Sequence, residues 1–224
     1  NIKGKKIGVI KETIGKNSDN RIVTLLKDNL KKLESLGAIV EEISIPEIEY
    51  SVSIYYIIAP AEASSNLARY DGIRYGLKTE RKDIDAKTIF THTRSEGFGE
   101  EVKRRIVIGN FVLSSGYYDA YYKKAQKARI VLSNRFNEQF KKYDFLITPT
   151  SPVLPFKIGQ TKGDPLALYI ADLCTIPINL AGLPAVSLPI GKIEGLPVGM
   201  QLISKRFDDG ILLGVGEFIQ QNLS

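Results

Sequence analysis

The sequence predicts an α/β fold in which helices cover a mixed β-sheet. Two observations lead to this prediction. An amphipathic segment lies between two short apolar segments near the start of the chain, and two further apolar segments flank a glycine-containing turn near its end. The first arrangement is typical of a βαβ unit with parallel strands, and the second of an antiparallel hairpin. A sheet that contains both is mixed.

The βαβ unit is predicted at the start of the chain. Residues 7–10 form its first strand, and residues 38–44 form its second strand. Between them, apolar residues recur at steps of three and four, which predicts a helix with one apolar face. These residues are Ile22, Leu25, Leu26, Leu30, Leu33 and Leu36. Gly37 is expected to end this helix in the left-handed conformation.

The middle of the chain is predicted to be mainly helical. Residues 50–70 are apolar and rich in small side chains, which favours a helix that another backbone can approach closely. A mobile polar loop is expected over residues 77–87. Two more helices follow, over residues 100–115 and 118–143, and the second of these is the longest in the chain.

The last third of the chain is predicted to add further strands to the sheet. Residues 145–148 are predicted to form a buried strand that Pro149 ends. A helix beginning at Asp164-Pro165 is expected to carry Asp172 among apolar neighbours. The hairpin pairs residues 184–191 with residues 198–203.

A helix over residues 211–221 follows the hairpin and completes the predicted fold. The whole of residues 1–224 is interpreted as a single domain, and as the C-terminal portion of a larger one. The chain begins at Asn1 without a methionine, which is typical of a piece of a longer protein or of a processed chain.

Composition narrows the classes of function. The net charge is +6, and the lysines and arginines are spread along the chain, so a dedicated nucleic-acid module is not indicated. The single cysteine, Cys174, excludes an internal disulfide, and the single histidine, His92, excludes a histidine metal cluster. The sequence holds no apolar run long enough to span a membrane, so we expect a cytoplasmic protein.

The most informative segment is residues 94–122. It places Lys103, Arg104 and Arg105 between a Gly-Phe-Gly break and a group of tyrosines. Adjacent guanidinium groups beside aromatic side chains suit the bidentate binding of a small carboxylate. A solvated turn of helix is the alternative for such a Lys-Arg-Arg triplet.

Four segments together resemble the amidase-signature family: residues 61–72, 94–122, 144–150 and 175–184. Within it they are most similar to the glutamine-hydrolysing A subunits of bacterial tRNA-dependent amidotransferases. The resemblance implies an amidase-signature fold and a protein that releases ammonia from glutamine. The ammonia converts Glu-tRNA(Gln) to Gln-tRNA(Gln) in a complex with the B and C subunits. By the same resemblance, tRNA binds indirectly through the B subunit, which uses ATP and Mg, and this chain needs no cofactor.

The catalytic residues of that family are not found in this chain. The family uses a lysine, a bridging serine and a serine nucleophile in a loop rich in glycine and serine, a combination that suits acyl transfer. Residues 114–116 lack the flanking glycines, and Lys27 lies on the polar face of a predicted helix, where a lysine is a poor base. We therefore expect no catalytic residue here and no glutaminase activity of the isolated chain.

The resemblance instead implies substrate-binding residues. Arg105 corresponds to the arginine that binds the α-carboxylate of glutamine, Asp172 to the aspartate that binds the α-ammonium, and Tyr56 to a nearby tyrosine. A shift of one residue would replace Arg105 by Arg104 or Tyr56 by Tyr55.

Two other functions remain open from the sequence. The parent protein could be another amidase-signature hydrolase of small amides. Such an enzyme would not need Arg105 and Asp172 to bind the α-carboxylate and the α-ammonium of an amino acid. Alternatively, this portion could be a non-catalytic surface that binds the partner subunits.

Overall fold

The computed structural model describes residues 1–78, 80, 85–160 and 165–223. These residues form two compact units. The first consists of Asn1–Val52 and Arg129–Ser224, and the second consists of Ser53–Ala128. The prediction of a single domain over residues 1–224 stays a prediction.

A mixed five-stranded sheet organises the first unit, in the order β2-β1-β3-β5-β4. The strands are β1 (Lys6–Ile10), β2 (Ile39–Ile43), β3 (Phe145–Pro149), β4 (Ala185–Ile193) and β5 (Leu196–Ile203). β1 pairs in parallel with β2 and β3, whereas β5 pairs antiparallel with β3 and β4. The structure thus confirms the predicted α/β fold with a mixed sheet.

Helix α1 (Asn20–Ser35) connects β1 to β2, as the apolar periodicity predicts. The carboxylate of Asp19 caps its first turn by accepting a hydrogen bond from the backbone N–H of Arg21. Gly37 follows the helix with φ of +94°, which confirms the predicted left-handed end. The apolar face of α1 and that of α8 (Asp209–Leu223) pack into the same core as the sheet, around buried residues such as Leu26, Met200 and Ile219.

The hairpin is confirmed, and its turn explains its register. Glu194 and Gly195 both have positive φ, at 51° and 80°, between Ile193 and Leu196 of the paired strands. Two left-handed central residues make the tight turn whose twist matches that of antiparallel strands.

Two short helices, α6 (Pro165–Ala171) and α7 (Ile176–Ala181), complete the first unit together with the later part of α5 (Lys124–Gln139). Gln201 of β5 connects the sheet to the turn between α6 and α7. Its side-chain nitrogen donates to Oγ1 of Thr148 at 2.9 Å and to the carbonyl of Cys174 at 3.0 Å. This buried amide holds the turn against the sheet. The predicted start of α6 at Asp164 lies outside the described residues.

The second unit is helical. It contains most of α2 (Ser51–Asn66), then α3 (Ala86–Gly97) and α4 (Glu100–Leu113). A π-helical segment over Tyr118–Lys123 then continues into α5. The predicted helices over residues 50–70, 100–115 and 118–143 are confirmed, although they end earlier than expected, at Asn66, Leu113 and Gln139.

The prediction of a loop as far as residue 87 was wrong, because α3 begins at Ala86. The carboxylate of Asp85 caps this helix by accepting a hydrogen bond from the backbone N–H of Thr88 at 2.7 Å. His92 therefore lies on a helix, with Nδ1 3.1 Å from Glu96 Oε1. The sequence of α3 contains only two large apolar residues, Ile89 and Phe90, so the apolar pattern did not reveal it. Residues 79 and 81–84 of the predicted loop lie outside the described residues.

In the part of the chain that the structure describes, no helix is both long enough and apolar enough to cross a membrane.

Candidate functional site

The arginine pair lies one turn into α4. Gly99 is the N-cap, and Glu100 and Glu101 occupy the first turn, where carboxylates interact favourably with the helix dipole. Arg104 and Arg105 follow at the spacings of three and four residues that bring helical side chains together. The three side chains therefore form a compact group, which we call the Glu101 cluster: Glu101, Arg104 and Arg105.

Glu101 binds both arginines. Its Oε1 accepts from Nη2 of Arg104 at 2.7 Å and from Nε of Arg105 at 2.8 Å. Its Oε2 accepts from Nε of Arg104 at 2.7 Å. Hydrogen bonds from Arg104, and secondarily from Arg105, lower the pKa of Glu101 from 4.5 to about 2. The carboxylate is therefore ionised throughout the physiological range, and the cluster keeps a net positive charge.

Arg105 is the more enclosed of the two arginines, since its side chain is 33% exposed against 46% for Arg104. Its Nη1 donates to the hydroxyl oxygen of Tyr55 at 3.0 Å, and its Cζ lies 5.9 Å from the centroid of the same ring. The hydrogen bond to Glu101 raises the pKa of Arg105 further above its already high ordinary value. Nη2 of Arg105 makes no hydrogen bond to any residue in the described part of the chain.

Tyr55 and Tyr56 lie next to each other on α2. Their ring centroids are 5.1 Å apart, and the ring planes meet edge to face at 88°. Both side chains are half-buried. Of the two, Tyr55 contacts Arg105 directly, and Tyr56 packs against Tyr55. Of the Tyr55/Tyr56 alternative, the structure therefore shows a contact with Arg105 for Tyr55.

A close contact between α2 and α4 sets the position of Arg105 relative to Tyr55. A Cβ atom at Gly109 would lie 2.0 Å from the carbonyl oxygen of Pro60 and 2.6 Å from Oγ of Ser64. Only glycine permits this approach of the two helix backbones. Pro60 also lacks the N–H that would bond to the carbonyl of Tyr56, so α2 has one backbone hydrogen bond fewer beside the tyrosine pair.

Arg105 contacts a different aromatic residue from those that lie next to the arginine pair in sequence. The predicted wall consisted of Phe98 and of tyrosines 117–122. Phe98 instead packs against Arg94, whose Cζ lies 5.1 Å from its ring centroid. Tyr117 packs 4.3 Å from Phe111, and Tyr118 stacks on Tyr122 at 5.3 Å, measured between ring centroids. The tyrosine that contacts Arg105 comes from α2, which is far away in sequence.

Asp172 lies in the first unit, in the turn between α6 and α7, and not within a helix as expected. Its side chain is exposed, so the expected apolar surroundings were also wrong. Its backbone carbonyl accepts from the N–H of Ile176 at 3.0 Å and so begins α7. The Asp172 carboxylate has no ion pair or hydrogen bond with the residues that the structure describes, and an unpaired carboxylate can bind a cation.

A cleft of about 400 Å³ opens beside this turn. Its walls are mainly apolar and include Leu154, Phe156 and Ala171, the residue before Asp172. Two hydroxyl groups line it as a pair, since Oγ1 of Thr150 lies 2.7 Å from Oγ of Ser187. The cleft can bind apolar groups and can form a few polar contacts.

Cys174, two residues after Asp172, is buried. Burial raises the pKa of its thiol to about 12, so it is a thiol and not a nucleophilic thiolate at neutral pH. Among the described residues, no group of three or more histidine, cysteine, aspartate or glutamate side chains could hold a metal ion.

Lys27 and Ser114 resemble catalytic groups of the family in sequence alone. Both lie at the positions that the sequence predicts. Lys27 is exposed on α1. Ser114 ends α4, and its hydroxyl donates to the carbonyl of Phe111 at 2.7 Å. A solvated lysine and a helix-capping serine are ordinary structural roles.

Glu101 is the residue that the sequence analysis missed. Its spacing from Arg104 and Arg105 was visible, but that spacing is common on helix surfaces. Only the structure shows that one carboxylate binds both guanidinium groups.

Comparisons with known proteins agree with this fold. The sequence profile of the family described as Amidase matches residues 1–213. The A subunit of the glutamyl-tRNA(Gln) amidotransferase of Moorella thermoacetica is 53% identical over 221 residues, which are 99% of this chain and 45% of that protein. This chain therefore spans less than half the length of that relative.

Comparison with solved structures also finds amidases. The crystal structure of the A subunit of the glutamyl-tRNA(Gln) amidotransferase from Thermotoga maritima matches with a TM-score of 0.74 at 45% identity, over 99% of this chain and 43% of that one. A crystal structure of an amidase matches with a TM-score of 0.77 over 100% of this chain and 46% of that one. At 21% identity this second match is evidence for the fold alone.

Proposed function

The chain belongs to the amidase family, and from this premise we propose that it is the glutamine-recognition part of a glutamine-hydrolysing amidase subunit. In this proposal the ammonia released from glutamine converts Glu-tRNA(Gln) to Gln-tRNA(Gln). The identity of 53% to the A subunit of a glutamyl-tRNA(Gln) amidotransferase supports the choice of reaction. The reaction belongs to the full-length protein, since this chain matches 45% of that relative.

The observation that carries the proposal is the way in which the side chain of Arg105 is held and which of its hydrogen-bond donors remain free. Its guanidinium is held from two sides, by Glu101 and by Tyr55, and its Nη2 makes no hydrogen bond within the described residues. A positioned guanidinium with free donors complements a planar carboxylate. The α-carboxylate of glutamine is such a group.

Asp172 is proposed to bind the α-ammonium of glutamine, because its carboxylate is exposed and has no partner among the described residues. Tyr56 is proposed to contact glutamine beside Arg105, with Tyr55 as the alternative. Because a free amino acid carries one anion and one cation, residues that match both discriminate strongly against amides that lack either group.

The chemical step is assigned to the portion of the full-length protein outside this chain. The glycine- and serine-rich loop that carries the nucleophile in this family has no counterpart in residues 1–224. By this proposal the chain corresponds to the C-terminal half of the full-length protein. The chain binds and orients glutamine, and it needs no cofactor for that role.

We further propose that the full-length protein works with the B and C subunits of a heterotrimer, in the cytoplasm. The B subunit would bind tRNA and use ATP and Mg, so tRNA would contact this chain only indirectly. Transfer of ammonia to glutamyl-tRNA needs an activated side-chain carboxyl group on the glutamyl residue. ATP bound by the partner subunit would activate that carboxyl group.

The proposal is tested with the full-length protein assembled with the B and C subunits. We expect glutamine-dependent conversion of Glu-tRNA(Gln) to Gln-tRNA(Gln), and release of glutamate from glutamine. Hydrolysis of simple amides at the same efficiency as glutamine, without transfer to tRNA, would instead identify another small-amide hydrolase.

A second assay uses residues 1–224 alone. We expect this chain to release no ammonia from glutamine above the uncatalysed rate. Enzyme-like turnover would overturn the assignment of the chemistry to another part of the protein.

A further inference from the structure

Glu101 differs from its neighbour on α4 in what it binds. Glu100 forms a single ion pair with Lys103 at 3.0 Å, and its side chain is 92% exposed. Glu101 binds two guanidinium groups through three hydrogen bonds of 2.7–2.8 Å. The first arrangement is an ordinary surface pair of little energetic value. The second fixes the orientation of the planar groups that it binds.

The hydrogen-bond donors of Arg105 show what this orientation leaves available. A guanidinium has five N–H donors on three nitrogens. Glu101 accepts from Nε, and Tyr55 accepts one hydrogen bond from Nη1. Among the described residues, no partner accepts from Nη2 or from the remaining N–H of Nη1. The free donors therefore lie on the two terminal nitrogens, which form the outer edge of the group.

From this arrangement we infer that Glu101 is a positioning residue for glutamine binding: it holds Nε of Arg105 so that the terminal Nη1–Nη2 edge faces the substrate carboxylate. The inference rests on the proposed binding of the α-carboxylate by Arg105. Glu101 does not touch the substrate and acts through Arg105.

The charge of the Glu101 cluster is compatible with this role. One carboxylate shared between two guanidinium groups leaves a net positive charge of one. Because Arg104 takes both carboxylate oxygens and Arg105 only one, Glu101 does not occupy the bidentate edge of Arg105. A second carboxylate can therefore bind Arg105 without displacing the first.

If Glu101 instead competed with the substrate, the opposite effect on glutamine binding would be expected. If Glu101 competed with the substrate carboxylate for Arg105, its removal would tighten glutamine binding. If Glu101 positions Arg105, its removal frees the side chain to adopt other rotamers and weakens glutamine binding, because ordering the side chain then costs entropy during binding.

The test compares three variants of the full-length protein assembled with the B and C subunits. Glu101→Ala removes the carboxylate, Glu101→Gln keeps an oxygen that can accept from Nε, and Glu100→Ala is the matched control on the same helical turn. We expect the glutamine KM to rise roughly tenfold in Glu101→Ala, by less in Glu101→Gln, and to stay unchanged in Glu100→Ala. The kcat should change little, because the bound substrate is the same.

A substrate without the α-carboxylate separates positioning from general structural damage. The compound 4-aminobutanamide is glutamine without that carboxylate. We expect Glu101→Ala to leave the KM of its hydrolysis unchanged while raising the KM of glutamine. An equal rise for both substrates would show that Glu101 only supports the fold, and would overturn the inference.

The same assays separate this inference from the proposed function. If Arg105→Ala raises the glutamine KM but Glu101→Ala leaves or lowers it, Glu101 is not a positioning residue and the proposed role of Arg105 stands. If Arg105→Ala also leaves the glutamine KM unchanged, the proposed carboxylate contact itself is wrong.

Discussion

The hydroxyl oxygen of Tyr55 accepts a hydrogen bond of 3.0 Å from Nη1 of Arg105, across 50 residues of sequence. A side chain of α2 thereby fixes a guanidinium on α4. The ring of the same tyrosine lies 5.9 Å from the guanidinium carbon, within the range of a cation–π interaction. Together with Glu101, Tyr55 makes Arg105 a held group and not a mobile surface side chain.

Substitution of each tyrosine by phenylalanine distinguishes Tyr55 from Tyr56. Tyr55→Phe removes the acceptor for Nη1 of Arg105 and keeps the ring, so we expect the glutamine KM to rise about threefold to tenfold. That effect should vanish when Arg105 is already alanine, because Tyr55 acts through Arg105. The effect of Tyr56→Phe should persist in the Arg105→Ala background if Tyr56 itself contacts glutamine. Tyr55→Phe effects that persist in that background would assign the substrate contact to Tyr55.

Replacement of Asp172 tests the proposed ammonium contact. Asp172→Asn removes the charge and keeps the size of the side chain, and we expect the glutamine KM to rise about tenfold, as for loss of one charge-assisted hydrogen bond. Asp209→Asn, at the exposed first residue of α8, is the control and should leave the KM unchanged. Equal KM values for Asp172→Asn and the unmodified protein would exclude Asp172 from glutamine binding.

The lowered pKa of Glu101 predicts a pH dependence of stability. Since its pKa is about 2 in the folded chain and ordinarily 4.5, the unfolded state binds more protons between these values. The stabilisation by Glu101 is complete above about pH 4.5 and is lost as the pH falls to about 2. Glu101→Gln should therefore lose less unfolding free energy than the unmodified chain over this window, as measured by urea denaturation.

The matched control for this pH effect is Glu100→Gln, which removes a carboxylate from the same helical turn and leaves the Glu101 cluster intact. The side chain of Glu101 is 55% exposed, so solvent screening keeps the difference small. A steeper acid loss of stability in Glu101→Gln than in the unmodified chain would contradict the assigned pairing.

Gly109→Ala tests the packing of α2 on α4. The new methyl group would lie 2.0 Å from the carbonyl oxygen of Pro60, so the helices must separate. We expect a loss of unfolding free energy of about 3 kcal/mol, as for other overpacked contacts, and a higher glutamine KM in the full-length protein. The KM would rise because Tyr55 and Arg105 lie on the two separated helices.

Gly214→Ala is the control for a glycine without close neighbours. Gly214 is exposed on α8, and no atom lies within 4 Å of the position of its Cβ. Alanine should stabilise this helix by about 0.5–1 kcal/mol. Equal stabilities of Gly109→Ala and the unmodified chain would show that the two helices do not depend on this close approach.

The sheet and its flanking helices could be predicted from the sequence, because their signals are local. The period of Leu26, Leu30 and Leu33 defines α1, and the Gly195 turn defines the hairpin. Helix α3 could not be predicted, since its polar sequence lacks an apolar stripe, and its start depends on a cap by Asp85.

The site was predicted less completely than the fold. Arg105 was identified by resemblance, and the structure shows it to be more enclosed than Arg104. The contact of Tyr55 with Arg105 joins two helices, and no sequence pattern reports such a distance. Asp172 was expected in an apolar helix, but Gln201 holds this part of the chain in an exposed turn through a buried amide contact that only the fold creates.

The most direct test of the account is the glutamine KM of Arg105→Ala, compared with that of Arg104→Ala, in the full-length protein assembled with its partners. Loss of the carboxylate contact should weaken glutamine binding by about 2–4 kcal/mol, which corresponds to a KM about 30-fold to 1,000-fold higher. Arg104→Ala should change the KM far less. An unchanged KM in Arg105→Ala, or a larger effect in Arg104→Ala, would contradict the assignment of Arg105 as the carboxylate-binding residue.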